Sequence, residues 1–164
     1  MDWAVKKELL REIRTVRANE KKFMDWKNVY HAILLPTANE DPEVIEPAIQ
    51  AVYDSRYPNK KFIIVLATEE REDPEKRNRK IKYLKERFDG KFFDFLVTVH
   101  QVAPGEMKMK SANATYAAKY LKKYLQEKNI PLEHVVLSNF DCDTCAHPQY
   151  FAALSFKYVT EPKR

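Results

Sequence analysis

Val135-Val136-Leu137-Ser138-Asn139-Phe140-Asp141-Cys142-Asp143 is an apolar run that stops abruptly in two carboxylates one residue apart. Such a run reads as a buried strand whose end carries acidic side chains to the rim of a sheet, where a ligand or a hard cation can be held. In an extended segment the side chains of Asp141 and Asp143 leave on the same side. Paired carboxylates on that spacing suit Mg²⁺ or Mn²⁺, which bind few protein oxygens and take the rest from water and a substrate diphosphate. The same pattern also occurs in turns and helix caps.

Three earlier runs share this design. Val29 to Leu35 feeds Pro36-Thr37-Ala38-Asn39-Glu40, Lys61 to Ala67 feeds Thr68-Glu69-Glu70, and Phe92 to Val99 feeds a loop from His100 to Met107. Helical patterns lie between them. Asp41-Pro42 opens one through Asp54, with Val44, Ile45, Ala48, Ile49 and Val52 as its apolar stripe. Asp73-Pro74 opens the next, with Ile81, Leu84 and Phe88 as the stripe and Arg77, Arg79, Lys80, Lys82 and Lys85 mostly outside it. Lys110 to Lys128 follows, with Ala114, Ala117, Ala118, Leu121 and Leu125 inward and Tyr116, Tyr120 and Tyr124 as a rim beside them. Strands that alternate with helices, each strand a continuous apolar run, specify an α/β domain: a mainly parallel sheet with helices on both faces. Its strand ends then collect Thr37, Asn39, Glu40, Thr68, Glu69, Asp141 and Asp143 along one edge, the usual ligand edge of such sheets.

Composition narrows the functions. At 164 residues the chain fits one domain with a real core, and 45% hydrophobic residues exclude a disordered chain. No apolar run reaches the roughly 18 residues of a membrane span, and Met1-Asp2-Trp3-Ala4 begins no signal peptide, which implies a cytoplasmic protein. Near the start, Val5, Leu9, Ile13 and Val16 recur at helical spacing among Arg11, Arg14, Arg17, Lys21 and Lys22. That amphipathic helix either packs on its own domain or lies on an anionic membrane surface. The net charge of +5 comes from basic residues interleaved with 24 acidic ones on helix faces, so no nucleic-acid partner is expected. Only Gly90 and Gly105 are glycines, which rules out the phosphate-cradling glycine loops. A phosphorylated ligand must then be neutralised by side chains or a metal.

A rival reading uses the same letters. Cys142-Asp143-Thr144-Cys145 is a Cys-X-X-Cys pair with His147 nearby, the kind of set that serves redox chemistry or zinc. No second cysteine pair completes a zinc site, and Pro148 interrupts the helix that a thioredoxin-like pair would open.

Pro36-Thr37-Ala38-Asn39-Glu40 resembles the Pro-X-X-Asn-Glu opening of family 2 glycosyltransferases, which have the GT-A fold and include the cellulose and hyaluronan synthases. Lys108-Met109-Lys110-Ser111-Ala112-Asn113 is similar to that family's Lys-X-X-X-X-Asn segment, and Phe140-Asp141-Cys142-Asp143 to its Asp-X-Asp motif. His147-Pro148-Gln149-Tyr150-Phe151 resembles the Pro-containing helix start that follows. The likeness covers about residues 30 to 158. It implies a GT-A, Rossmann-like domain binding a nucleoside-diphosphate sugar. Thr37, Asn39, Glu40, Glu69 and Asn113 would then line the nucleotide site, Lys108 would stand near the nucleotide or its phosphates, and Asp141 and Asp143 would contact ribose and Mn²⁺ or Mg²⁺. Ala67-Thr68-Glu69-Glu70 departs from the acidic pair, two Asp, that usually ends the second strand.

Family members continue into an acceptor half with a catalytic Asp and, in processive members, a Gln-X-X-Arg-Trp segment. Neither lies in this sequence, so no catalytic residue is assigned. The expected organisation is an N-terminal helix over 1–26, a truncated GT-A-like domain over 27–160 and a tail over 161–164. Its remainder would be a separate or membrane-embedded part of the enzyme, at the cytoplasmic face of a membrane. A metal-dependent nucleotidyltransferase and a non-enzymatic membrane- or partner-binding module are the alternatives.

Overall fold

The structure, a computed structural model, describes Arg11, residues 24–101 and residues 110–160. The expected N-terminal helix, apart from Arg11 and its last residues, lies outside the described residues. So do residues 102–109, with Lys108, and the tail 161–164.

Four parallel strands, β1 (Tyr30–Pro36), β2 (Phe62–Glu69), β3 (Asp94–His100) and β4 (Val135–Asn139), form one sheet in the order β3-β2-β1-β4. The connecting helices are α1 (Pro42–Tyr53), α2 (Pro74–Phe88) and α3 (Lys110–Glu127), and α4 (Tyr150–Thr160) follows β4. The chain is thus an α/β layer structure with helices on both faces. Prolines at the first turn start α1 and α2, and the Asp73 carboxylate accepts from the Lys76 N–H. Both α2 and α3 end on a left-handed residue, Gly90 at φ 70° and Asn129 at φ 54°.

Alternation along the strands divides the core. Ile33, Leu35, Ile64 and Leu66 point toward α1, α2 and α4, meeting Ile45, Ile49, Leu84, Phe88 and Phe151. Ala32, Leu34, Ile63, Val65 and Ala67 point the other way, onto Ala117, Leu121, Tyr124 and Leu125 of α3. Every residue of β2 is buried, which is why its sequence shows no polar alternation. Tyr124 Oη donates 2.6 Å to the Asp94 carboxylate, and burial together with that bond drives its hydroxyl pKa up.

Three expectations need correction. Val44 is not on the inward stripe of α1 but 45% exposed, because Pro42, Ile45, Ala48, Ile49 and Val52 already fill the contact face. Lys80, expected outside the stripe of α2, is 2% exposed; it shares the inward face with Leu84 and Phe88, one and two turns on. Among the described residues β4 is at the edge of the sheet and not buried throughout, with Leu137 49% exposed and, of its own residues, only Ser138 buried. A groove of about 160 Å³ runs between α3 and β4, lined by Leu121, Leu125, Leu132, Val135 and Leu137 among others. No helix among the described residues is long and apolar enough to cross a membrane.

His31 of β1 is fully buried, its ring edge-on to Tyr57 and Phe151 and its Nε2 joined to Ser155 Oγ at 2.7 Å. Burial lowers its pKa from the ordinary 6.5 to about 4. The unfolded chain therefore takes up this proton first as pH falls. Stability from this group is whole above 6.5 and is lost on descent toward 4, by up to roughly 3 kcal/mol. Urea unfolding across that window should show this loss in the wild type and a flatter profile in His31→Phe.

Candidate functional site

Because all four strands are parallel, their C-terminal ends share one edge. The helices α1 and α2 carry the chain from β1 outward to β2 and β3 on one face. From β3 the chain returns by α3 on the opposite face and passes β2 and β1 to place β4 beside β1. The order reverses between β1 and β4, and the crossovers change faces there, α1 and α2 lying on one face of the sheet and α3 on the other. Such a switch point opens a crevice, the usual ligand position in open α/β sheets. The loop carrying Thr37, Asn39 and Glu40 forms one wall, and the loop carrying Asp141 and Asp143 the other.

The β1 wall is held from below by a buried polar network. Thr37 N–H donates 2.8 Å to Ala67 O at the end of β2. Asn113, 1% exposed in the first turns of α3, gives its Nδ2 to Ala67 O at 2.8 Å and Thr37 O at 3.3 Å. Lys80 Nζ reaches the same loop from the other face, donating 3.0 Å to Thr37 Oγ1, 3.1 Å to Ala38 O and 2.6 Å to Glu72 Oε2. Glu72 accepts the Glu69 N–H on its other oxygen at 2.8 Å. Burial raises the Glu72 pKa while the bond from Lys80 opposes that shift. Within the loop, Ala38 N–H donates 2.5 Å to Glu40 Oε2, so Glu40 shapes the turn and Asn39 stands exposed at its tip.

Glu69 ends β2 as expected, but its side chain is 4% exposed and bonded by Arg71 Nε. Arg77 Nη1 holds the Glu69 and Glu70 carbonyls at 3.2 and 3.1 Å. His100 at the end of β3 lies 5.0 Å from the Tyr116 ring.

On the β4 wall, the Phe140 N–H donates 3.0 Å to Leu34 O, and the strand ends before the carboxylates. Asp141 and Asp143 are therefore not in extended backbone; Asp141 to Thr144 form a turn closed by Thr144 N–H to Asp141 O at 2.9 Å. The side chain of Cys142 supplies the reason. It packs into the core with Phe151, and the chain must bend to bury it. Both aspartates are exposed, and Arg56 N–H donates 2.7 Å to Pro148 O to anchor the loop. Cys145 is exposed while Cys142 is buried, no disulfide joins them, and His147 Nδ1 accepts from the Gln149 N–H at 3.2 Å. Among the described residues no three His, Cys, Asp or Glu side chains gather as a metal-binding group, so the zinc reading has no ligand set there.

Of the residues expected at the site, Thr37, Asn39, Glu40, Glu69, Asn113, Asp141 and Asp143 all lie at this edge, and Lys108 falls outside the described residues. Lys80 and Glu72 were missed. The signal was a basic residue four positions before Leu84 on the apolar stripe.

No protein-family model matches the sequence, and neither does any curated protein. Among solved structures the chain is similar to the mannosyltransferase PcManGT from Pyrobaculum calidifontis in complex with GDP-Man and Mn²⁺. The identity is 19% and the TM-score 0.47, over 91% of this chain and 39% of that one. The chain thus spans about two fifths of that protein's length.

Asn113 tests the network directly. Asn113→Ala removes both bonds to the buried carbonyls and should cost about 1–3 kcal/mol in urea unfolding. Asn113→Asp should cost more at pH 7, since a carboxylate then faces two carbonyl oxygens, and should recover toward pH 5 as the carboxyl regains a proton to donate.

Proposed function

We propose that this chain binds a nucleoside-diphosphate sugar at the β1/β4 crevice, as the donor-binding domain of a glycosyltransferase. The observation that carries the reading is the switch point, with the braced Thr37–Glu40 loop on one wall and two exposed aspartates on the other. A diphosphate needs charge neutralised, and with no glycine loop in the sequence a cation on carboxylates meets that need.

Two exposed aspartates in one turn fit Mg²⁺ or Mn²⁺, which leave several positions for water and phosphate oxygens. Asp141 and Asp143 would hold the ion, which when bound supplies Lewis-acid stabilisation to a departing nucleoside diphosphate. Asn39 at the exposed tip would face the base and ribose, and Thr37, 2% exposed and bonded within the fold, would support it from beneath. The Asn113 Oδ1 atom is buried with no donor among the described residues, an acceptor in hand for a ligand or water at the top of α3. Glu69, covered by Arg71, would meet a ligand only through that arginine or after it moves. Lys108 would stand near the phosphates, as the family resemblance implies. Sugar transfer itself would need a base beside the acceptor hydroxyl, which we assign to no residue of this chain.

Thermal unfolding with a panel of nucleoside diphosphates and triphosphates, with and without Mn²⁺, tests the reading. A diphosphate at about 100 times its Kd should add ~2.7 kcal/mol, a shift of several degrees, in the presence of Mn²⁺. Asp143→Ala and Asp141→Ala should each abolish that shift, and Asp143→Ala should do so without lowering the unliganded Tm. A shift with triphosphates alone would favour nucleotidyl transfer, and no metal-dependent shift with any nucleotide would sink both.

A further inference from the structure

The Lys80–Glu72 pair has no part in neutralising a ligand, because its charges are spent on each other. All three ammonium protons of Lys80 have acceptors, and its side chain is 2% exposed. Nor does stability account for it. Apolar residues of similar volume in a buried seam generally serve as well as an ion pair, because two charges must first be stripped of water. What the pair supplies and two leucines could not is direction. Lys80 fixes the Thr37 hydroxyl and the Ala38 carbonyl, and Glu72 holds the Glu69 N–H at the end of the neighbouring strand. Asn113 from the opposite face of the sheet and the Ala67 carbonyl within the sheet take the remaining groups of Thr37. The peptide at Thr37–Ala38 is gripped from both sides of the layer, directly below the exposed Asn39.

We infer that Lys80 and Glu72 are positioning residues that hold the loop after β1 in its ligand-binding conformation, the side chains of one helix setting the wall of the crevice. This rests on the donor-site reading for what the loop binds, but not for what holds the loop. It predicts that removing the pair loosens residues 37–40 selectively while the sheet persists.

The test uses the whole chain. Lys80→Met alone leaves a buried carboxylate and risks misfolding. The double variant Glu72→Gln/Lys80→Met removes both charges and keeps an acceptor for the Glu69 N–H, so it is the informative one. Amide hydrogen exchange without ligand should rise at least tenfold at Thr37 and Ala38 while amides in the middle of β2 keep their wild-type rates. The Kd for a nucleoside diphosphate with Mn²⁺ should weaken at least tenfold in the same folded variant. Unchanged exchange at Thr37 and Ala38, or a rise shared equally by β2, overturns the inference. A wild-type chain that binds no nucleotide overturns the donor-site reading instead. Loop exchange then decides the clamp by itself: selective opening supports it and unchanged exchange removes it.

Discussion

The carbonyl oxygen of Ala67 accepts the Thr37 N–H at 2.8 Å and the Asn113 amide at 2.8 Å. At that one atom the end of β1, the end of β2 and the start of α3 meet. A buried carbonyl can take two donors, and here both lone pairs are used to bind elements from three parts of the chain. The crevice geometry depends on this junction. It sets where β1 stops pairing and so where the loop to α1 departs, and it places α3 over the opposite face. Parallel sheets require their crossovers to keep one hand, so a return past two strands must use the other face. The reversal of order beside β1 is the result.

The layered architecture was legible because burial on both faces leaves a plain mark in sequence. Phe62 to Ala67 carries no polar residue, the pattern of a strand buried on both faces. The prolines after Asp41 and Asp73 marked helix starts that the structure shares. β4 was misread because its apolar letters resemble those of β2, and strand order, which decides whether a strand is central or at an edge, is set by long-range pairing that no local pattern records. Val44 was misread for a smaller reason: its position satisfies helical spacing, but neighbouring residues had already filled the face.

At the site, residue types were legible and their partners were not. Thr37, Asn39, Glu40, Asn113, Asp141 and Asp143 lie on the edge that strand polarity demands. That Asn113 would hold two main-chain carbonyls depends on distances between segments far apart in sequence, and that Glu40 would fold back on Ala38 depends on a local turn conformation that the residue types do not specify. Lys80 is the clearest instance. A lysine on a helix is read as solvated by default, since burying it is costly unless every proton finds an acceptor. Its three acceptors come from the loop after β1 and from Glu72, and only the assembled fold brings those together.

The pairing of β1 with β4 joins residues about a hundred positions apart, from Tyr30 with Val135 to Leu34 with Asn139, whereas β1 with β2 and β2 with β3 join residues about thirty apart. Closing a longer loop costs more chain entropy, and contacts of high sequence separation form late. The three strands β1, β2 and β3 can thus come together around α1 and α2 before β4 arrives. The fourth strand is also the shortest and the least buried, so its detachment is the least costly local opening of the sheet. The crevice thus sits against the strand with the longest loop to close and the least burial to hold it.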